Sequence, residues 1–160
     1  MGYNDFVDVE PIVLFRKAEK NIAAINSLLK DNDVSEDVHY DSICFNITQA
    51  VEKYLKGFII LNNEKVKEIH SLDKINKIAI KINDRFNEIH TDCLKLDNYD
   101  SDLRYDDRIK IEKHELKELL NILKRIYHFE PIKIIREEFI KTGNYIILPE
   151  YDFIKEIKND

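Results

Sequence analysis

The chain has 160 residues, enough for one domain that buries about two-thirds of its unfolded surface. Hydrophobic residues make up 44% and charged residues 35%, the balance of a globular protein with solvated helix faces, and three Gly with three Pro are too few for the turns of an all-β fold. A net charge of −6 argues against broad, non-specific attraction to nucleic acid and leaves room only for a local basic patch.

Residues 1–10 are an acidic lead-in with neither a signal-peptide pattern nor a myristoylation site, since Phe6 stands where Ser or Thr is needed. Pro11 suits the first turn of a helix, and Phe15, Ala18, Ile22, Ile25 and Leu29 then step by four or three, predicting an amphipathic helix to about Lys30. The polar stretch 31–37 follows, with Ser35 as the expected N-cap of the next helix. That helix, through Tyr40 to Leu61, is expected at the centre of the fold. Ile43, Ile47, Ala50 or Val51, Tyr54, Phe58 and Leu61 form one apolar line, and Cys44, Leu55 and Ile59 widen it, so it should touch several neighbours. On its other side Asn46, Gln49, Lys53 and Lys56 make a polar row of two amides and two ammoniums.

Asn62 and Asn63 close the central helix, and Ser71 is the next N-cap. Leu72, Ile75, Ala79, Ile82, Phe86, Ile89, Cys93 and Leu96 then alternate steps of three and four, which reads as one long helix or two in line with a weak point at Asn83-Asp84. The Asp-rich segment 95–110 has no apolar period and reads as a loop of the kind that carries function on a rigid scaffold. Leu116, Leu119, Leu120, Leu123 and Tyr127 mark a further helix, ended at Glu130-Pro131. Ile132, Ile135 and Phe139 mark one more to about Lys141, stopped by Gly143-Asn144. The apolar tail to Asp160 suits a strand or arm as well as a helix. No apolar run is long enough to span a membrane, and Cys44 and Cys93 fall on apolar stripes, which fits a reducing, cytoplasmic location. No cofactor motif and no His/Cys cluster at metal-ligand spacing is present, so neither a cofactor nor a metal is expected.

Four places can carry chemistry, each beside a plainer reading. Gln49, Glu52, Lys53 and Lys56 supply donors and an acceptor, or else form a solvated face with a Glu52–Lys56 pair. His70, just before the N-cap, can position a phosphate at a helix N-terminus, or simply pack or bond a carbonyl. Arg104-Tyr105, among Asp102, Asp106 and Asp107, suits bidentate contact with a phosphate or carboxylate, or pins the loop by an internal ion pair. Arg108 and His114, with five residues between them, suit metal-free RNA cleavage through a guanidinium and a proton-transferring imidazole. Against that, His114 lies opposite the leucine stripe of its helix, toward solvent or a partner.

These segments, in this order, resemble the HEPN family. FRKAEKNIAAINSLL (Phe15 to Leu29) is like its amphipathic first helix, and YDSICFNITQAVEKYLK (Tyr40 to Lys56) resembles its aromatic start followed by Q-A-x-E-K-x-L-K. IHSL (Ile69 to Leu72) resembles its T-H-D-L helix start, and LRYDD (Leu103 to Asp107) its R-Y-P-D loop. Ser71 departs from the usual acidic residue and Asp106 from the usual proline. The resemblance covers about residues 11–129 and leaves 130–160 as a C-terminal extension of one 160-residue domain.

The resemblance implies an all-α fold: an up-and-down antiparallel four-helix bundle with an additional C-terminal helix and extended tail, usually a homodimer. It implies binding of a nucleotide, RNA or a nucleotidyltransferase-type partner, in a toxin–antitoxin-like pair, with Gln49, Glu52, Lys53, His70, Arg104 and Tyr105 lining a polar groove. In the R-Y-P-D branch, of prokaryotes, Arg104 takes the motif position and the ribonuclease histidine is generally missing; Arg104 and His114 have nine residues between them, too many for the pattern. The alternative is a metal-independent ribonuclease toxin using Arg108 and His114. A second alternative is a structural interaction module that docks through Ile146, Ile147 and Leu148 of the tail.

Overall fold

The computed structural model describes residues 10–30, 36–66, 68–105 and 110–142, with the backbone alone at 36–39 and 101–105. Ser35, Arg108, Gly143-Asn144 and the apolar tail lie outside the described residues, as do the side chains of Arg104 and Tyr105. The described chain is helical and contains no strand: α1 (Pro11–Lys30), α2 (Glu36–Leu61), α3 (Leu72–Ile82), a 3-10 turn (Asp84–Ile89), α4 (His90–Tyr105), α5 (Lys113–Tyr127) and α6 (Glu130–Lys141).

α2 packs against each of the other five α-helices, most extensively against α1. Its two apolar lines explain this. Ile43, Cys44, Ile47, Ala50, Val51, Tyr54, Leu55 and Ile59 are all essentially inaccessible, and they join α1, α3, the 3-10 turn, α4, α5 and α6 in one hydrophobic core. Burying each large side chain is worth about 1.5–3 kcal/mol relative to leaving it exposed. α1 and α2 run antiparallel and close: Tyr54 donates to Glu19, Lys53 to Asn21 and Asn21 to Asn46, while a Cβ at Gly57 would sit 2.6 Å from Phe15 Cε1. Phe15 meets Tyr54 and Phe139 edge-on, which brings α6 onto the same corner.

The ends of the helices follow local chemistry. Asn63, at φ 62°, takes the left-handed position after α2, with Asn63 N–H on the Ile60 carbonyl and Glu64 N–H on that of Ile59. This turn leaves Leu61 exposed, where the sequence stripe had placed it in the core. Ser71 caps α3 by accepting from Lys74 N–H. Asn83 is extended (φ −146°) and divides the long third stripe, ending α3 on Ala79 and capping the 3-10 turn through Arg85 N–H. Pro131 does not end α5, which stops at Tyr127 with His128 as its C-cap; it stands instead in the first turn of α6.

One expectation is overturned. The Asp-rich segment is not a loop: α4 runs through it to Tyr105. Its partners are polar and so leave no apolar period. Asp92 takes Arg125 in a two-pronged pair at 2.7 and 3.1 Å, Lys95 meets Glu118, and Tyr99 donates to Glu115. The three contacts, at steps of three and four along α4, fix α5 antiparallel to it.

Candidate functional site

The polar row of α2 does not face bulk water. Lys56 is 1% exposed and Glu52 8%, which overturns the solvated-face reading although their pair exists, Nζ to Oε2 at 3.2 Å. The connection after α2 buries Val66 and returns His70 to the same place, with Nδ1 3.5 Å from the other Glu52 oxygen. Glu52 therefore sits between a buried ammonium and an imidazole whose side chain is 62% exposed.

A turn away the row meets α1. The half-buried Lys53 ammonium donates to Asn21 Oδ1 at 2.7 Å, the Asn21 amide donates to Asn46 Oδ1 at 2.9 Å, and Asn46 donates to the Ser42 carbonyl at 2.9 Å. Burial and then the nearby Lys17 ammonium hold the Lys53 pKa below the usual lysine value; Glu52 opposes this and Lys56 adds to it. Of the charged groups acting on Lys53, Lys17 and Lys56 are thus cations and Glu52 the opposing carboxylate, a local concentration of positive charge on an acidic chain. Gln49, one turn before Lys53 and half-buried, has no hydrogen bond among the described residues.

Gln49, Glu52, Lys53 and His70 therefore lie along one seam. Arg104 and Tyr105 occupy the last turn of α4, and their side chains fall outside the described set, so their convergence with Lys53 is not part of the described geometry. The seam also includes Asn21, Lys17 and Lys56. Asn21 had a signal in the sequence, being a polar residue one turn before Ile25 on the stripe edge of α1. His70 does not hold an anion at the start of α3, because that start is already filled. Asp97 of α4 accepts from Ser71 Oγ, Leu72 N–H and Asp73 N–H at 2.9, 2.7 and 2.9 Å, so a carboxylate from the protein itself occupies the helix terminus.

His114 stands apart, in the first turn of α5, 74% exposed and with Nδ1 3.3 Å from Glu112 Oε2. Glu112 and Glu115 form a reciprocal capping box there, and Tyr99 donates to Glu115. Glu112, His114 and Glu115 bring ligand-type atoms within 4.8 Å of one another. Both Glu115 oxygens are engaged, one by Glu112 N–H and one by Tyr99, and a helix N-terminus disfavours a cation.

A family model for the HEPN domain matches residues 13–135, most of the chain. The chain belongs to the HEPN family. No curated protein and no solved structure matches it. The match spans α1 to the middle of α6, so it includes both the seam and the His114 turn. Among the described residues of this HEPN chain, no helix is long and apolar enough to cross a membrane.

Proposed function

We propose that this HEPN chain binds the phosphate of a nucleotide or of an RNA end on the α1–α2 seam. The observation that carries the reading is the Lys53 ammonium, half-buried, crowded by Lys17 and Lys56 and oriented by Asn21. Lys17 and Lys56 both act to lower the Lys53 pKa, and a bound phosphate relieves that repulsion. Lys17 and Lys53 carry the charge, His70 approaches from the α3 side, and the unengaged Gln49 amide is free to read a base or sugar. Arg104 and Tyr105 are assigned to the same site on the strength of the R-Y-P-D resemblance alone. A single domain, homodimer formation, the R-Y-P-D branch with its nucleotidyltransferase-type partner in a toxin–antitoxin-like pair, and a cytoplasmic location belong to the same proposal, supported by the motif resemblance and by composition. Fluorescence anisotropy with a labelled 5′-phosphorylated RNA tests it. Lys53→Ala should weaken binding about tenfold or more, the scale of one charge-assisted contact, while unchanged affinity rejects the seam.

The His114 turn favours a second reading, metal-independent RNA cleavage by Arg108 and His114. Glu112 Oε2 lies 3.3 Å from Nδ1 of an exposed imidazole, a carboxylate partner of the kind that orients a proton-transfer group. RNA incubated with the protein in EDTA separates the two. Cleavage lost in His114→Ala selects the enzyme; binding lost in Lys53→Ala without any cleavage selects the binder.

A further inference from the structure

The face of α2 that carries Lys53 continues toward the start of the helix. Residues four apart are neighbours on a helix surface, with Cβ atoms about 5–6 Å from one another. Asp41, Phe45, Gln49 and Lys53 therefore form one ridge of α2. Phe45 is 50% exposed, the one aromatic among the described large apolar side chains left open to solvent. A partner helix docks on apolar residues at three- and four-residue spacing. Around Phe45 those positions hold Asp41, Ser42, Thr48 and Gln49, all polar. A single ring in a polar setting suits a flat, partly polar group, and a nucleobase is one.

The Lys53 ammonium reaches back toward this ring. Lys53 Nζ donates to Asn21 Oδ1 at 2.7 Å, and the nitrogen of the same amide donates to Asn46 Oδ1 at 2.9 Å. One amide group thus separates the ammonium from the residue next to Phe45. Charge sets a direction along the ridge. The Asp41 carboxylate closes one end and Lys53, with Lys17 and Lys56 acting on it, the other, so a phosphate belongs at Lys53 and the base toward Phe45. Gln49 lies between them, half-buried and with no hydrogen bond among the described residues. Its amide offers a donor and an acceptor together, the pair that matches the N6 and N7 edge of adenine.

Given phosphate binding at Lys53, on which this inference rests, we propose that Phe45 is a base-stacking platform. The ligand of the seam is then a nucleoside 5′-phosphate, free or at an RNA end, and not a phosphate on any carrier. The base stacks on the Phe45 ring with its edge toward the Gln49 amide, and the 5′-phosphate meets Lys53.

The chain contains no tryptophan, so Phe45→Trp puts a single fluorescent reporter on the platform, at an exposed position where the exchange leaves the core untouched. Adenosine 5′-monophosphate should quench its emission, and ribose 5-phosphate should not. In the unaltered chain, calorimetry should give the mononucleotide an affinity about tenfold above that of ribose 5-phosphate, the scale of one base–aromatic stack. Phe45→Ala should erase that difference by weakening the mononucleotide alone, and Phe45→Tyr should keep it. A 5′-phosphorylated RNA that binds more tightly than the mononucleotide supports the platform at an RNA end; equal or weaker binding supports it with the free nucleotide. Equal affinity for mononucleotide and ribose 5-phosphate, unchanged in Phe45→Ala, overturns the platform and leaves the Lys53 phosphate site standing. Absence of binding by all three ligands overturns both. Self-association lost in Phe45→Ala, read by sedimentation, with mononucleotide affinity unchanged assigns the ring to a chain–chain contact and overturns the platform as well.

Discussion

Single side chains decide how α1 and α2 meet. A Cβ at Gly57 would lie 2.6 and 2.7 Å from the Phe15 ring, which is itself fully buried and packed on Tyr54 and Phe139. Gly57→Ala gains up to about 1 kcal/mol of helix propensity but forces the ring aside, at about 1–3 kcal/mol. Urea unfolding should show the variant less stable. The buried Glu52–Lys56 pair gives a second contrast. Glu52→Gln takes the carboxylate from beside a buried ammonium and should cost about 3 kcal/mol, whereas the double change Glu52→Leu with Lys56→Met, which removes both charges of the pair, should be nearly neutral. Denaturant midpoints of the two variants check the asymmetry. The sequence placed Lys56 on the polar side correctly. Its burial was not legible there, because Val66 and His70 return over α2 through a connection that no helical period describes.

At the scale of helices, α3 depends on a carboxylate from another element. Ser71 is a legible N-cap, but Asp97, twenty-six residues later, satisfies Ser71 Oγ and two backbone N–H groups at once. Ser71→Ala should cost about 1 kcal/mol, the usual loss of a cap. Asp97→Ala leaves three donors without their acceptor and should cost more, about 2–3 kcal/mol; thermal unfolding ranks the two. α4 and α5 are tied by Asp92–Arg125, Lys95–Glu118 and Tyr99–Glu115. The Tyr99 hydroxyl, and then Glu112 N–H, hold the Glu115 carboxyl below its ordinary value of 4.5. A depressed folded-state value gives stability that is complete above 4.5 and lost as pH falls through the folded value. Tyr99→Phe should therefore flatten the acid limb of a stability–pH curve below 4.5 and leave its neutral plateau lower. These pairs also explain why the second half of α4, from Lys95, read as a loop. Apolar periodicity detects the turns that face a core, as Cys93 and Leu96 do, whereas α4 meets α5 through charges and a hydroxyl.

For the molecule as a whole, the two apolar lines of α2 announced a central helix, and it packs on every other α-helix. The apolar stripes of α1, α3, α5 and α6 and the break at Asn83 were equally legible, since each rests on local spacing or caps. The proposed seam was half legible. Gln49, Glu52, Lys53 and His70 were marked by the Q-A-x-E-K segment and the histidine, but Asn21 and Lys17 join them only once α1 lies against α2. The most direct measurement is a ¹⁵N NMR titration of the side-chain amides of Asn21, Asn46 and Gln49 with two otherwise identical RNA oligonucleotides, one 5′-phosphorylated and one 5′-hydroxyl. The phosphorylated oligonucleotide should shift these signals, the hydroxyl form should not, and Lys53→Ala should abolish the shifts. Equal shifts with both, or shifts confined to the α5 N-terminus around His114, would contradict phosphate binding on the seam.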